Sequence, residues 1–257
     1  MEQLYAVLLS FSLISCNHKS NNPPVFVDPN IRVDINRYAQ IISIPIPNGF
    51  ERIKADSNSF CAYLRNIDLK KKTTVFLYNG LPKRNQTAQY AVLDISVGNS
   101  DLQQCADAVM RLRAEYLFNQ KNFEPIKFYD NDHIAYTFST PFTRDHFDKY
   151  LNRVFGMCGS ASLSKQLNPV KTFSEIQPGD VIIRGGFPGH AVIVMDVAVN
   201  DSGKKIFLLV QSYMPAQDIH VLKNPTNENL SPWYELNGDH IILTPEYSFT
   251  KKELMRW

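Results

Sequence analysis

Three apolar runs, 181–183, 191–199 and 206–211, lie close together in the chain and constrain the fold more than any other feature. Each has strand length and is dominated by Val, Ile and Leu. Between the last two stands Asn200-Asp201-Ser202-Gly203, a hairpin turn signal, so those two strands pair antiparallel. Shorter strands are expected at 217–222 and 240–243, and a terminal helix at 250–256. Upstream, 41–46, 75–78 and 91–97 read as strands, and 58–65 as a short helix that puts Cys61 in the core. Ser100-Asp101-Leu102-Gln103 has the form of a capping box, and Leu102, Cys105, Val109, Leu112 and Tyr116 follow at helical spacing. The stretch 127–138 is β-rich. A second amphipathic helix covers 144–155, with Phe147, Leu151, Val154 and Phe155 on one side, and a third, short helix starts near Ser160 or Ser162. Helices early and an antiparallel sheet late define an α+β protein.

Composition bounds the function. At 44% hydrophobic and 20% charged, the 257 residues are those of a globular chain long enough to bury a large core, which excludes disorder, collagen and coiled coil. The formal net charge is only +2, from 27 basic and 25 acidic residues, so there is no electrostatic case for nucleic acid. The one lysine run, Lys70-Lys71-Lys72, reads as a solvated turn.

The N-terminus reads as a targeting signal. Residues 4–14 are almost wholly apolar, yet too few to cross a bilayer core of roughly 30 Å as a helix. They end in Leu13-Ile14-Ser15-Cys16, which resembles a bacterial lipobox and implies lipidation of Cys16. The preceding segment departs from the pattern, since it carries Glu2 and no Lys or Arg. The expected organisation is a signal peptide at 1–16, a polar tether at 17–35 and one α+β domain at 36–257. That domain has a helical and β part at 36–140 and a sheet-rich part at 141–257. The protein is then anchored to a membrane of the cell envelope. Cys61, Cys105 and Cys158 remain, an odd number, so at least one thiol stays free unless it pairs with another chain.

The chemistry-bearing stretch is Pro178-Gly179-Asp180 followed by Gly189-His190-Ala191. A Gly-His at the start of an apolar strand fixes the imidazole at a sheet end, where it can face a cleft. This stretch resembles the second half of NlpC-type and CHAP-type cysteine peptidases, papain-like enzymes that cut bacterial cell-wall peptides. The resemblance covers roughly residues 100–212 and implies a papain-like antiparallel sheet with helices packed on one side. It also implies His190 as base and Gln211, on the next strand, holding His190 Nδ1–H through its amide oxygen. Cys105, within Gln103-Gln104-Cys105-Ala106, is similar to the Gln-Cys of the CHAP nucleophile. The Cys105 N–H and the Gln104 side chain would then hold the oxyanion, beside Gly189 in the substrate site.

Two features of the chain stand apart from that pattern. With Ser100 as N-cap, Cys105 lies more than a turn inside its helix and on the apolar stripe, as a plain core cysteine would. NlpC-type spacing also puts the nucleophile at Thr143-Arg144. Cys158 is nearer in sequence to His190 but follows the second helix, so Cys105, Cys158 and no active thiol all stay open. Trp233 and Tyr234 are candidates for a glycan groove or for core or lid positions. Gln217 reads as part of a structural corner. His133, His146, His220 and His240 show no metal-ligand spacing, so no metal and no cofactor is expected. The motifs around Cys105, His190, Gln211 and Trp233 together also resemble an uncharacterised family of bacterial envelope lipoproteins, over nearly all the mature chain. The expected function is a cysteine amidase or peptidase acting on peptidoglycan or other envelope peptides. The alternative is a non-catalytic binding protein that keeps the cleft, and a third reading is a structural or assembly lipoprotein.

Overall fold

The computed structural model describes residues 35–236 and 241–257, so Cys16, its signal segment and His240 lie outside the described residues. Thirteen strands are formed: β1 Phe50–Arg52, β2 Gln89–Val92, β3 Lys127–Tyr129, β4 Ala135–Thr137, β5 Asn168–Pro169, β6 Val181–Arg184, β7 His190–Asn200, β8 Lys205–Gln211, β9 His220–Leu222, β10 Trp233–Glu235, β11 Ile241–Leu243, β12 Ser248–Thr250 and β13 Leu254–Arg256. The helices are α1 Phe60–Arg65, α2 Cys105–Asn119, α3 Arg144–Met157 and α4 Ser160–Gln166.

A nine-stranded sheet runs in the order β2-β9-β8-β7-β6-β13-β5. β1 adds to the far half of β7, and β10 adds to β8. Every pairing is antiparallel. Ala191, Ile193 and Met195 of β7 with Ile206, Leu208 and Val210 of β8 pack into one core, together with residues from all four helices. Val192, Val194 and Val197 with Phe207 and Leu209 pack into a second core, closed by Phe173, Leu254 and the β11–β12 hairpin through Ile242 and Phe249. Both faces are covered, which is why β7 and β8 read as continuous apolar runs and not as alternation. The fold is therefore mixed α and β, dominated by one large antiparallel sheet with its helices on one side.

Three expectations differ from the structure. The 41–46 segment forms a 3₁₀ turn at Ile41–Ser43, and 75–78 makes only isolated bridges, from Phe76 to Pro82 and Leu77 to Gln217. The expected terminal helix is a 3₁₀ turn, Lys251–Glu253, followed by β13. β13 lies between β6 and β5, and Arg256 fastens it by donating from Nε and Nη2 to both oxygens of the buried Asp180, at 2.6 and 2.8 Å. Tertiary pairing thus overrides a locally helical pattern. The turn just before Asp180 is set by Gly179, at φ +92, where an added Cβ would stand 2.6 Å from the Phe60 ring.

A buried charge cluster joins the far end of β7 to the N-terminal layer. Asp196 is fully buried and accepts from Arg52 Nε at 2.5 Å and Arg65 Nε at 2.7 Å. It pairs with Leu208 just after the β7–β8 register shift, where Met195 is the extra residue of a bulge that re-aims the strand.

Candidate functional site

Helix α2 begins at Cys105, not near Ser100. Its N-cap is Gln104, whose N–H donates to the Asp107 carboxylate at 2.9 Å, so the reciprocal half of a capping box comes from Asp107. Asp101, in the segment expected to start the helix, accepts from Ala216 N–H at 2.6 Å and from Gln104 Nε2 at 3.1 Å. It ties the helix start to the loop after β8. Cys105 is consequently in the first turn, among N–H groups with no helical partner. The backbone N–H groups of Ala106, of Ala191 and of Cys105 itself lie on the sulfur's side and favour the thiolate. Burial first, and the Asp107 carboxylate second, nonetheless push the thiol up to about 11.

Ala191 follows His190, so the sulfur lies near the start of β7, the strand that His190 opens. His190 is 2% exposed and is packed by the rings of Tyr213, Tyr247 and Phe249, with centroids 4.7, 5.0 and 5.8 Å away. Its Nε2 is 2.8 Å from Gln211 Oε1. Gln211 is thus the partner expected from the sequence, but it holds the other ring nitrogen: Nε2, not Nδ1.

The direction of that bond is fixed from behind. Gln211 Nε2 donates to Glu246 Oε2 at 2.8 Å and lies 3.4 Å from His220 Nε2. His220 Nδ1 bonds to the Asp218 carbonyl at 2.9 Å, which makes Nδ1 the protonated nitrogen and leaves Nε2 as an acceptor. A carboxylate and an imidazole lone pair both demand a donor, so the amide presents NH₂ to them and its oxygen to His190. His190 Nε2 therefore carries the proton, and Nδ1 is bare, with no hydrogen bond among the described residues. Glu246 is held in turn by Lys83 Nζ at 2.5 Å and by Asn85 Nδ2 at 3.2 Å. None of Lys83, Glu246, His220 or Tyr213 was singled out by sequence for this site. Lys83 and Glu246 lie in loops without a motif, and only the sheet end brings them together.

The other candidates are placed as follows. Gln104 directs its side chain to Asp101, so its amide is engaged within its own turn. Gly189 packs so closely on α4 that an added Cβ would stand 2.3 Å from Ser160 Oγ and 2.5 Å from the Gly186 carbonyl. Its glycine is required by packing. Trp233 and Tyr234 are core residues, 1% and 2% exposed, with the indole N–H donating to the Pro45 carbonyl at 2.7 Å and the phenol to that of Lys223. Buried, these rings line no groove. Cys158 caps the end of α3 in the main core, and burial, with Asp130 and Asp107 behind it, pushes its thiol up to about 12. Gln217 is buried, and its carbonyl accepts from Ser212 Oγ at 2.9 Å, closing the corner after β8.

The electrostatics of the two histidines make a direct prediction. Burial pulls His190 down to about 4 and His220 to about 3, from an ordinary 6.5. Between pH 6.5 and these values the unfolded chain binds protons that the fold refuses. Each ring therefore withdraws about 1.4 kcal/mol of stability per pH unit as pH falls, and nothing above the unfolded value. Asp107, raised by burial, acts in the opposite sense. In ¹⁵N-detected NMR both rings should stay neutral at pH 5.5, with His190 protonated at Nε2 and His220 at Nδ1. A His190 titration near its ordinary value would contradict the buried geometry.

The family model described as domain of unknown function (4846) matches residues 42–142 and 133–256. No curated protein and no solved structure matches the chain. Since the two matched segments cover most of the chain, including Cys105, His190, Gln211 and Glu246, the protein belongs to the domain-of-unknown-function family 4846.

Proposed function

We propose that this chain is a cysteine amidase or peptidase of the cell envelope, lipid-anchored through Cys16 and acting on cell-wall or other envelope peptides. The observation that carries the reading is a single juxtaposition. The Cys105 sulfur lies by the Ala191 backbone N–H, and the preceding residue, His190, has its Nε2 tied to Gln211 with Nδ1 left bare. A papain-like fold of the NlpC or CHAP kind is part of the same proposal.

With the thiol raised and the imidazole lowered, the resting pair is neutral. Catalysis then runs by general base. His190 Nδ1 takes the thiol proton as sulfur attacks the amide carbonyl, and the first-turn N–H groups of α2 hold the oxyanion. The C–N bond breaks as the imidazolium passes that proton to the leaving amine, which gives a thioester on Cys105. Water, deprotonated by Nδ1, attacks the thioester; the carboxylic acid leaves and the thiol is restored.

The second reading is a binding protein that keeps the same cleft without chemistry. It is favoured by the 9% exposure of Cys105 and by the burial that holds its thiol protonated. Incubation of the protein with purified sacculi separates the two readings, with released fragments identified by mass. Fragments are expected from the wild type and not from Cys105→Ala. Sacculi that retain both proteins without any new amine or carboxyl terminus would favour binding alone.

A further inference from the structure

A second site stands on the other side of the α2 start. A cavity of 350 Å³ opens between the 96–100 loop, the first turns of α2, and α3, with Gln103, Arg111, Arg144 and Asp148, the last held by Arg144 at 2.7 Å, in its polar wall and Leu151 and Phe155 in its apolar wall. Gln103 is 1% exposed, and its Oε1 accepts from Arg111 Nη1. Its Nε2 is buried and has no hydrogen-bond acceptor. Turning the amide over would set NH₂ against the guanidinium, so the orphaned donor cannot be removed by a flip.

Arg111 shows the same deficit. Nη1 bonds only to neutral oxygens, the Gln103 amide and the Ser96 carbonyl, the latter at 2.5 Å. Its Nε is buried without a hydrogen bond. The carboxylate beside it, Glu115, stands 3.5 Å off and is already engaged by Arg144 through both oxygens at 2.6 and 2.7 Å. The cavity wall thus carries a buried amide donor without an acceptor, on Gln103, beside a guanidinium whose Nε reaches its carboxylate only at 3.5 Å. Such groups are costly when left unmade, and burial accordingly pulls Arg111 below its ordinary value. The missing partner is an oxygen-rich anion, and the volume suits a molecule of amino-acid size whose aliphatic part would lie on Leu151 and Phe155.

We propose that this cavity binds the carboxylate of an amino-acid-sized acid, such as the free C-terminus of a short peptide. Gln103 Nε2 and the Arg111 guanidinium donate to it. The inference goes beyond the hydrolase reading and does not rest on the cysteine chemistry. The two sites nonetheless share a wall, since Ser212, next to Gln211, donates through Oγ to the Gln103 carbonyl at 3.0 Å.

Calorimetric titration of the whole protein with N-acetylalanine, against its primary amide as the uncharged control, tests this. The acid is expected to bind at least about tenfold more tightly than the amide, because only the acid supplies a charge-assisted acceptor to the guanidinium. Arg111→Met should abolish that preference, Gln103→Met should weaken it, and Cys105→Ala should leave it unchanged. If either Met variant fails to fold, the wild-type Gln103 side-chain amide signals replace it as the readout. They should shift with the acid and not with the amide. Equal affinity for acid and amide, no binding of the acid, or a preference that survives in folded Arg111→Met would overturn the assignment.

Discussion

Asp196→Ala is expected to destabilise the protein by about 3–5 kcal/mol, as for breaking a buried ion pair by removing one partner. The carboxylate has no solvent exposure, and both of its partners are guanidinium groups. Arg65 is itself buried, at 6% exposure, so it is left as an uncompensated charge inside the fold. Arg52 has recourse to the Ile44 carbonyl at 2.7 Å and to the face of Trp233, and its side chain reaches water. Arg52→Ala should therefore cost clearly less than Asp196→Ala. The measurement is the shift of the urea midpoint at constant slope. A loss below about 1 kcal/mol for Asp196→Ala would mean that the cluster is solvated after all, as surface pairs are.

If the proposed Cys105–His190 hydrolase reading holds, Glu246→Leu should have the largest effect on that chemistry of any change made outside the pair. It removes the acceptor that points the Gln211 amide, leaving only the 3.4 Å approach of His220 to orient it. It also strands Lys83, which is 8% exposed and bonded to that carboxylate. Stability would fall for the second reason, so the informative variant is the double replacement Lys83→Met with Glu246→Leu. There both partners go together, and stability should recover most of the loss. What should not recover is the His190 tautomer. Once the amide is free to turn, the proton redistributes to Nδ1, and a base protonated on the reacting nitrogen takes no proton. In the proposed hydrolase, amide cleavage should drop by about 10²-fold or more, with ring ¹⁵N shifts that report mixed tautomers. Glu246→Gln keeps an oxygen facing Gln211 and should retain the tautomer. If the double variant keeps Nε2–H, the Lys83–Glu246 pair is only a strut.

The sheet was legible because its strands announce themselves singly. Each of β6, β7 and β8 is a run of apolar residues, and the turn joining the last two is written in four adjacent residues. Position within the sheet was not legible. Nothing local tells that 254–256 is a strand inside the sheet, since its pairing with β6 depends on Asp180 meeting Arg256. The helix start failed for a related reason. Ser100 has the residue type of a cap, but Asp101 is taken up by Ala216, more than a hundred residues away, and the cap passes to Gln104. That shift of about one turn moves Cys105 from the helix interior to its first turn. The imidazole and its amide partner could be read from strand order. The ring nitrogen that the amide holds could not, because it depends on Glu246 and His220 approaching from other segments.

The place of β13 sets a condition on how the protein is made. Its last residues fill the gap between β6 and β5, and Trp257 then stacks edge-on to Phe128, with Arg113 over its ring. Until those residues are in place, the outer edge of β6 has no pairing partner and stays open to strand addition by other chains. The sheet is therefore completed only after every other strand of it has been made, because β13 follows them all in the chain. Removing residues 254–257 would reopen that edge.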